Sequence, residues 1–305
     1  MKRGLGGESG FSLIELLVVI GILGLVLTAV YSVYLSHMKR AFSQEEVIDV
    51  QQNLRFALDS ISQDLTMAGI LVPTGTNPVA SQTGSPAFPN YSTSIRMTSA
   101  SADGGFARVV NAAPAGEFIV DLDPPAKAGD PAPVDAFTSG DKVRIIGPLD
   151  GSSSSGSLVV QATNRTNNTL TFATALPADV AVGQMLARTA DGSPLPHSVD
   201  YYLIDGGSAP VNGYTCPRNQ KCLVRQVNGT GPAPVISREI IATALSSLRF
   251  SYLNDGYGEE SAPSDPARIR AVRVTLEGAT TKTVALSGAA RNRSLMSVIK
   301  LRNRR

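Results

Sequence analysis

The feature that most constrains this chain is an apolar run near its N-terminus, from Phe11 to Leu35, interrupted by one charged residue, Glu15. A helix needs about 20 apolar residues, each rising roughly 1.5 Å, to cross the hydrocarbon of a bilayer. The run therefore predicts a membrane-spanning helix over residues 11–35. A bare carboxylate within lipid costs on the order of 2.5 to 3.5 kcal/mol or more, so we expect Glu15 to need a cationic partner.

Two simpler explanations of this segment are open alternatives. A cleavable secretory signal has an apolar stretch of about 7 to 15 residues and then a cleavage site with small side chains. Here the basic residues Lys2 and Arg3 precede Gly10, and the apolar run follows it. A plain membrane anchor that carries an incidental glutamate is the second alternative. Both explanations are less favoured than one in which Glu15 has a specific role.

The sequence GFSLIE from Gly10 to Glu15 resembles the N-terminal signature of type IV pilins and type II secretion pseudopilins. The resemblance covers residues 1–35. It implies that residues 1–10 are a leader, that a prepilin peptidase cuts between Gly10 and Phe11, and that the new amine of Phe11 is methylated. It also implies an assembly role for Glu15, whose carboxylate would neutralise the N-terminal amine of a neighbouring subunit.

The same resemblance implies a single-pass protein of the bacterial inner membrane, with a periplasmic or extracellular C-terminal domain, assembled into a pilus or pseudopilus. The positive charges alone leave orientation open, because Lys2 and Arg3 precede the span and Lys39 and Arg40 follow it closely, so that the count is nearly balanced. The implied partners are the prepilin peptidase, other major and minor pilins through the N-terminal helix, the inner-membrane assembly machinery and membrane lipid.

Helical periodicity continues beyond the apolar run, over residues 36–68. Pro and Gly are absent from this stretch, and apolar residues recur three and four positions apart, at Val47, Val50, Leu54, Leu58, Ile61 and Leu65. This pattern predicts an amphipathic helix with one apolar stripe that packs on a domain. Gly69 and the following Pro73 predict where the helix ends.

Residues 69–305 are predicted to form a β-rich domain, large enough for a substantial core. Gly, Ser, Pro, Thr and Asn dominate residues 73–105, which predicts irregular connections. An inserted β subdomain is expected at about residues 105–190, and Asn167-Asn168 predicts a tight turn. Short alternating runs predict strands at 118–120, 142–146, 158–161, 169–172, 199–204, 223–227, 248–252, 272–276, 283–286 and 298–301.

Several runs in the C-terminal third resemble the PilW-type minor pilins and the similar J-type pseudopilins. They are Tyr201-Tyr202 and the segments 222–225, 248–252, 271–276 and 301–303. The resemblance implies an α+β fold, in which a long N-terminal α-helix packs on a mainly antiparallel β-rich domain. A domain larger than that of a typical major pilin favours a minor subunit.

The chain has two cysteines, Cys216 and Cys222. A metal site is disfavoured because His37 and His197 are the only histidines and the cysteines lack the spacing of a zinc site. If the domain lies outside the cytoplasm, a disulfide between the two is the natural interpretation. It would close a compact protrusion, for which a binding role is the less favoured interpretation.

Motifs of catalysis are not evident: the chain has no Gly-x-Ser-x-Gly elbow, phosphate-binding loop or His-Glu-x-x-His sequence. We therefore expect no enzyme activity and no cofactor. The acidic segment 254–260 with Asp265 offers oxygen ligands for calcium, but it lacks the regular spacing of a calcium loop. A solvated turn is the favoured interpretation.

The net charge is +2, yet the end of the chain is strongly basic. Such a run attracts nucleic-acid phosphates or anionic lipid. A solvated strand face is favoured over DNA binding, since basic and apolar residues alternate there. The candidate nucleic-acid contacts are Lys300, Arg302, Arg304 and Arg305.

Three functional hypotheses follow. The first is a minor pilin that helps to initiate or cap a type IV pilus. The second is a minor pseudopilin of a type II secretion system. The third is a membrane-tethered pilus-tip protein that binds DNA or a surface. Loss of piliation on deletion would favour the first, loss of protein secretion the second, and loss of adhesion or DNA uptake with pili retained the third.

Overall fold

The computed structural model describes residues 12–72, 77–80, 93–100, 105–147, 152, 156–189, 197–228, 235–256, 258–280 and 291–302. One long helix, α1, extends from Leu13 to Met67. It ends where the sequence predicts, because Gly69 takes a positive φ of 85° that suits a residue without a side chain. The Gly69 amide then donates to the carbonyl oxygen of Thr98, 3.0 Å away.

The chain divides into two compact units, which are described separately. The first contains α1 as far as Asp49, and the second contains α1 from Val50 onward together with the strands. The strands are β1 Val79–Ala80, β2 Ile95–Thr98, β3 Phe106–Arg108, β4 Ile119–Asp121, β5 Lys142–Ile146, β6 Leu158–Asn164, β7 Thr169–Phe172, β8 Met185–Arg188, β9 Ser198–Asp205, β10 Lys221–Asn228, β11 Val235–Asn254, β12 Glu259–Glu260, β13 Ile269–Ala279 and β14 Asn292–Lys300.

The first sheet is antiparallel and has the order β1-β2-β9-β10-β11-β13-β14, with β12 paired to β11. Strand β11 is long and pairs with β10 in its first half and with β13 in its second half. The change occurs near Ala244, which has a φ of 60°, and the register with both neighbours shifts in this region. A bulge of this kind bends the strand.

Residues of α1 and of the first sheet share one hydrophobic core. On the helix, Val50, Leu54, Ala57, Ile61 and Leu65 recur at helical spacing and are buried. On the sheet, alternate residues are buried because successive side chains of a strand point to opposite faces. The largest of these are Tyr201, Phe250 and Tyr252.

A second sheet lies in sequence between β2 and β9 and has the order β3-β8-β5-β6-β7-β4. Its first and last strands are also joined, because the Val110 amide donates to Asp121 and the Asp123 amide donates to Arg108. These bonds close the sheet into a six-stranded barrel, in which the two outermost strands cover each other's edges. The barrel has its own core, which includes Leu170, Phe172 and Leu186.

The α+β class is confirmed: a long N-terminal helix packs on antiparallel β structure. Asn168 has a φ of 53° in the turn between β6 and β7, as expected of a tight turn. The irregular stretch predicted over residues 73–105 was partly wrong, since β1 and β2 lie within it. The predicted strand at 283–286 lies outside the described residues.

Candidate functional site

The N-terminal part of α1 is an apolar surface that no described part of the chain covers. From Leu13 to Tyr34 every side chain of the helix is exposed, with Leu13 at 81% and Leu25 at 73%. Its most apolar window has a mean hydropathy of 2.8, and α1 is the one helix of the described residues long and apolar enough to cross a membrane. An apolar surface of this size needs lipid or other subunits around it.

Glu15 lies in the first turn of α1. Ser12 directly precedes the helix, and its carbonyl oxygen accepts from the amides of Glu15 at 3.0 Å and Leu16 at 3.2 Å. A carboxylate in the first turn is favoured by the helix dipole, and its side chain is exposed together with the apolar residues around it. Gly10 and Phe11, the predicted processing residues, lie outside the described residues.

A polar cluster ties α1 to the first sheet within the second unit. The Arg225 guanidinium donates to both carboxylate oxygens of Asp64, at 2.8 and 3.3 Å. The Tyr201 hydroxyl donates to Asp64 at 2.6 Å and lies 2.8 Å from the Ser60 hydroxyl. Burial raises the pKa of the Tyr201 phenol, and the Asp64 carboxylate raises it further. The charges and hydroxyls of this cluster thus satisfy one another, as a core requires.

A second polar cluster occupies the opposite face of the same strands. The carboxylate of Asp200 is fully buried and accepts two bonds from Arg96, at 2.6 and 2.5 Å, and one from Asn228 at 2.6 Å. Gln226 then links Asn228 to the Tyr202 hydroxyl. Sequence reasoning missed both clusters, because each joins residues that are far apart in the chain.

The cysteines form the expected disulfide, Cys216–Cys222. Both are buried, and the bridge joins Cys216, in the connection between β9 and β10, to Cys222 at the start of β10. The connection is packed tightly: a Cβ on Gly206 would lie 2.2 Å from the carbonyl oxygen of Pro217. The side chain of Tyr214, in the same connection, is exposed.

The acidic segment 254–260 is occupied by internal contacts. The Arg268 guanidinium donates to Asp255 at 2.9 Å and lowers the pKa of that carboxyl. The Ser264 amide and hydroxyl donate to Glu260, and these bonds lower the pKa of its carboxyl. Asn254 caps the turn by accepting from Gly258 at 2.8 Å. Among the described residues, no group of three or more His, Cys, Asp or Glu side chains is placed to hold a metal ion.

Lys300 is exposed at the end of β14, and Arg302 is exposed just beyond it. Arg304 and Arg305 lie outside the described residues. The structure therefore describes two of the four candidate nucleic-acid contacts, and it places both at the margin of the first sheet.

The profile of one protein family, the prokaryotic N-terminal methylation motif, matches residues 6–31. No curated protein sequence matches the chain significantly. The matched region contains Gly10, Phe11 and Glu15 and the first part of α1. Together with a long apolar helix on an antiparallel β domain, this match supports a type IV pilin-like protein, that is, a pilin or pseudopilin. The motif implies processing by a prepilin peptidase and assembly with other pilins, which is the behaviour of a structural subunit.

Proposed function

We propose that this chain is a minor pilin that helps to initiate or cap a type IV pilus. The observation that carries the proposal is the methylation motif at residues 6–31, which includes the first part of α1, where the apolar side chains are exposed. The β-rich domain is enlarged by a closed barrel between β2 and β9. This supports a specialised minor subunit over a major subunit that repeats along the filament.

In the proposed mechanism, cleavage after Gly10 frees the amine of Phe11, and methylation leaves that amine charged. The Glu15 carboxylate of one subunit then pairs with the Phe11 amine of its neighbour within the membrane. In a medium of low dielectric constant an unpaired charge is far more costly than a pair. The pairing therefore sets the register between packed helices, with the C-terminal domain outside the cytoplasm.

Processing is tested by mass spectrometry of the N-terminal peptide from cells that contain a prepilin peptidase. We expect a mature chain that begins with N-methylated Phe11, because Gly10 offers the peptidase a residue without a side chain. Cells without the peptidase should retain Met1. A chain that keeps residues 1–10 in the presence of the peptidase would contradict the proposal.

The role of Glu15 is tested by Glu15→Leu. This variant should insert and be cleaved normally, since removal of a carboxylate lowers the cost of insertion by roughly 2.5 kcal/mol or more. It should nevertheless fail to join the pilus, measured as its amount in sheared filaments. Glu45→Leu, a change at an exposed glutamate beyond the apolar run of the same helix, is the control and should assemble. Equal incorporation of both variants would disprove the pairing role.

A further inference from the structure

Strand β14 forms the outer margin of the first sheet. It pairs with β13 from Ala271↔Lys300 to Ala279↔Asn292, and no second strand of the described residues lies beside it. The amide of Leu301 donates to the carbonyl oxygen of Arg270 at 3.0 Å. This bond identifies which residues of β14 face β13, because hydrogen-bonded and non-bonded pairs alternate in an antiparallel ladder.

Counting back from Leu301, residues 299, 297, 295 and 293 bond to β13. The amides and carbonyls of the alternate residues point away from the sheet, and the side chains of these residues are all exposed. Met296 is 63% and Val298 is 46% exposed. The residues with outward backbone groups are Asn292, Ser294, Met296, Val298 and Lys300.

The margin is also cationic. Arg293, Lys300 and Arg302 are exposed, and residues 291–302 contain no carboxylate. No described carboxylate forms an ion pair with these three side chains. The strand thus presents a row of main-chain groups without a partner among the described residues, two apolar side chains in its centre and positive charges toward both ends.

We propose that the free edge of β14 binds an extended acidic polypeptide segment, which adds a strand to the first sheet. Main-chain bonds would supply affinity, and acidic residues near Arg293, Lys300 and Arg302 would supply selectivity. A second copy of β14 is disfavoured, because two such edges bring six cations together without an anion. The proposal rests on the proposed function only in that a neighbouring subunit of the assembly would supply the segment.

The test uses the full chain in detergent micelles and a synthetic peptide, Glu-Glu-Thr-Val-Thr-Val-Thr-Glu-Glu, with both ends blocked. Hydrogen exchange should show that the peptide protects the amides of Ser294, Met296 and Val298. A peptide with lysine in place of each glutamate should bind at least about tenfold more weakly. N-methylation of the central threonines and valines should also reduce affinity by at least about tenfold, since it removes the main-chain donors.

Matched variants of the protein locate the site. Met296→Pro removes one outward amide and leaves the bonds to β13 in place, whereas Met296→Thr keeps that amide. We expect Met296→Pro to bind the peptide about tenfold more weakly than Met296→Thr. Lys300→Gln with Arg302→Gln should flatten the salt dependence of binding. If Met296→Pro perturbs the strand, the comparison of the N-methylated with the unmodified peptide still tests the main-chain bonds, because it uses the wild-type protein.

Three results would overturn the proposal. The first is an absence of amide protection with peptide at about 1 mM. The second is equal affinity for the N-methylated and unmodified peptides. The third is displacement of the peptide by a DNA duplex that binds Met296→Pro and Met296→Thr equally, which would make the edge a simple anion site. Failed processing, or normal assembly of the Glu15→Leu variant, would refute the proposed function. Neither outcome would change the result of the peptide-binding experiment.

Discussion

The phenol of Tyr201 keeps its proton inside the core, where it donates to Asp64. Burial and the Asp64 carboxylate raise its pKa above the ordinary value of 10.0. An unfolded chain releases that proton near the ordinary value, whereas the folded chain retains it. The unfolded chain therefore binds fewer protons above pH 10, and the stability that Tyr201 contributes is complete below that pH and declines above it.

We expect Tyr201→Phe to remove this component of the pH dependence. At pH 7 the variant should lose about 1 kcal/mol of unfolding free energy, because one hydrogen bond is absent. Above pH 10 the wild-type chain should lose up to about 1.4 kcal/mol per pH unit more than the variant. Urea titrations of the detergent-solubilised chain at several pH values measure both quantities.

Tyr214→Phe is the control for this prediction, since the Tyr214 side chain is 76% exposed. Its unfolding free energy should follow the wild-type values at every pH. If the Tyr201→Phe and wild-type proteins show the same pH dependence, the buried phenol does not contribute in the way described.

Candidate site residues could be selected from the sequence only where the signal is contiguous. Gly10, Phe11 and Glu15 stand in one short motif, and that motif alone is enough to select them as candidates. The partner of Asp64 is 161 residues away, and helical periodicity gives only the face on which Asp64 lies. The ion pair between Arg225 and Asp64 depends on how β10 is placed against α1. No local sequence pattern encodes that placement.

At the scale of elements, α1 and β13 are in close contact at Gly278. A Cβ at this position would lie 2.8 Å from Cγ1 of Val50 and 3.0 Å from the carbonyl oxygen of Ala244. Glycine ordinarily weakens a strand by roughly 0.5 to 1 kcal/mol relative to alanine. Here the crowding outweighs that cost, because the nearest contact is the stiff, buried side chain of Val50 and the next is a backbone atom of Ala244.

Gly278→Ala is therefore expected to lower the unfolding free energy by about 1 to 3 kcal/mol, as overpacking does. Thermal unfolding followed by circular dichroism measures the change. Adding Val50→Ala to this variant should recover part of the loss, since it removes the nearer of the two obstacles. A Gly278→Ala chain as stable as the wild type would show that α1 and β13 are less tightly apposed than described.

Elements were predictable where burial alternates and hard to predict elsewhere. Strand β13 alternates over most of its length, and its centre was identified. In β11 no residue from Val235 to Ile241 is buried. The first half of that strand therefore shows no alternation of buried and exposed residues, and the sequence analysis missed it. Strands β3 and β8 were missed because each is short and is defined by pairing with neighbours in the barrel.

At the scale of the whole molecule, the helical residues that pack on the first sheet begin at Val50. A fragment of residues 50–305 should thus remain folded and soluble, with its disulfide, and should no longer bind liposomes. Circular dichroism, thiol labelling and liposome flotation test these outcomes, with the full mature chain as the control for membrane binding. A fragment that aggregates or unfolds at 25 °C would show that the earlier part of α1 is needed for folding.

The two ends of the barrel segment lie next to each other in the structure. Strands β2 and β9 are antiparallel neighbours through Thr98↔Ser198, and β3 and β8 are neighbours through Phe106↔Ala187. The chain therefore enters and leaves the barrel side by side, and the barrel is the elaborated loop of a β2–β9 hairpin. A change in the length of the barrel therefore need not alter the pairing of β2 with β9. Loss of the whole barrel would uncover Ala100 and Ile70, on which Ile146 and Ala187 of the barrel pack.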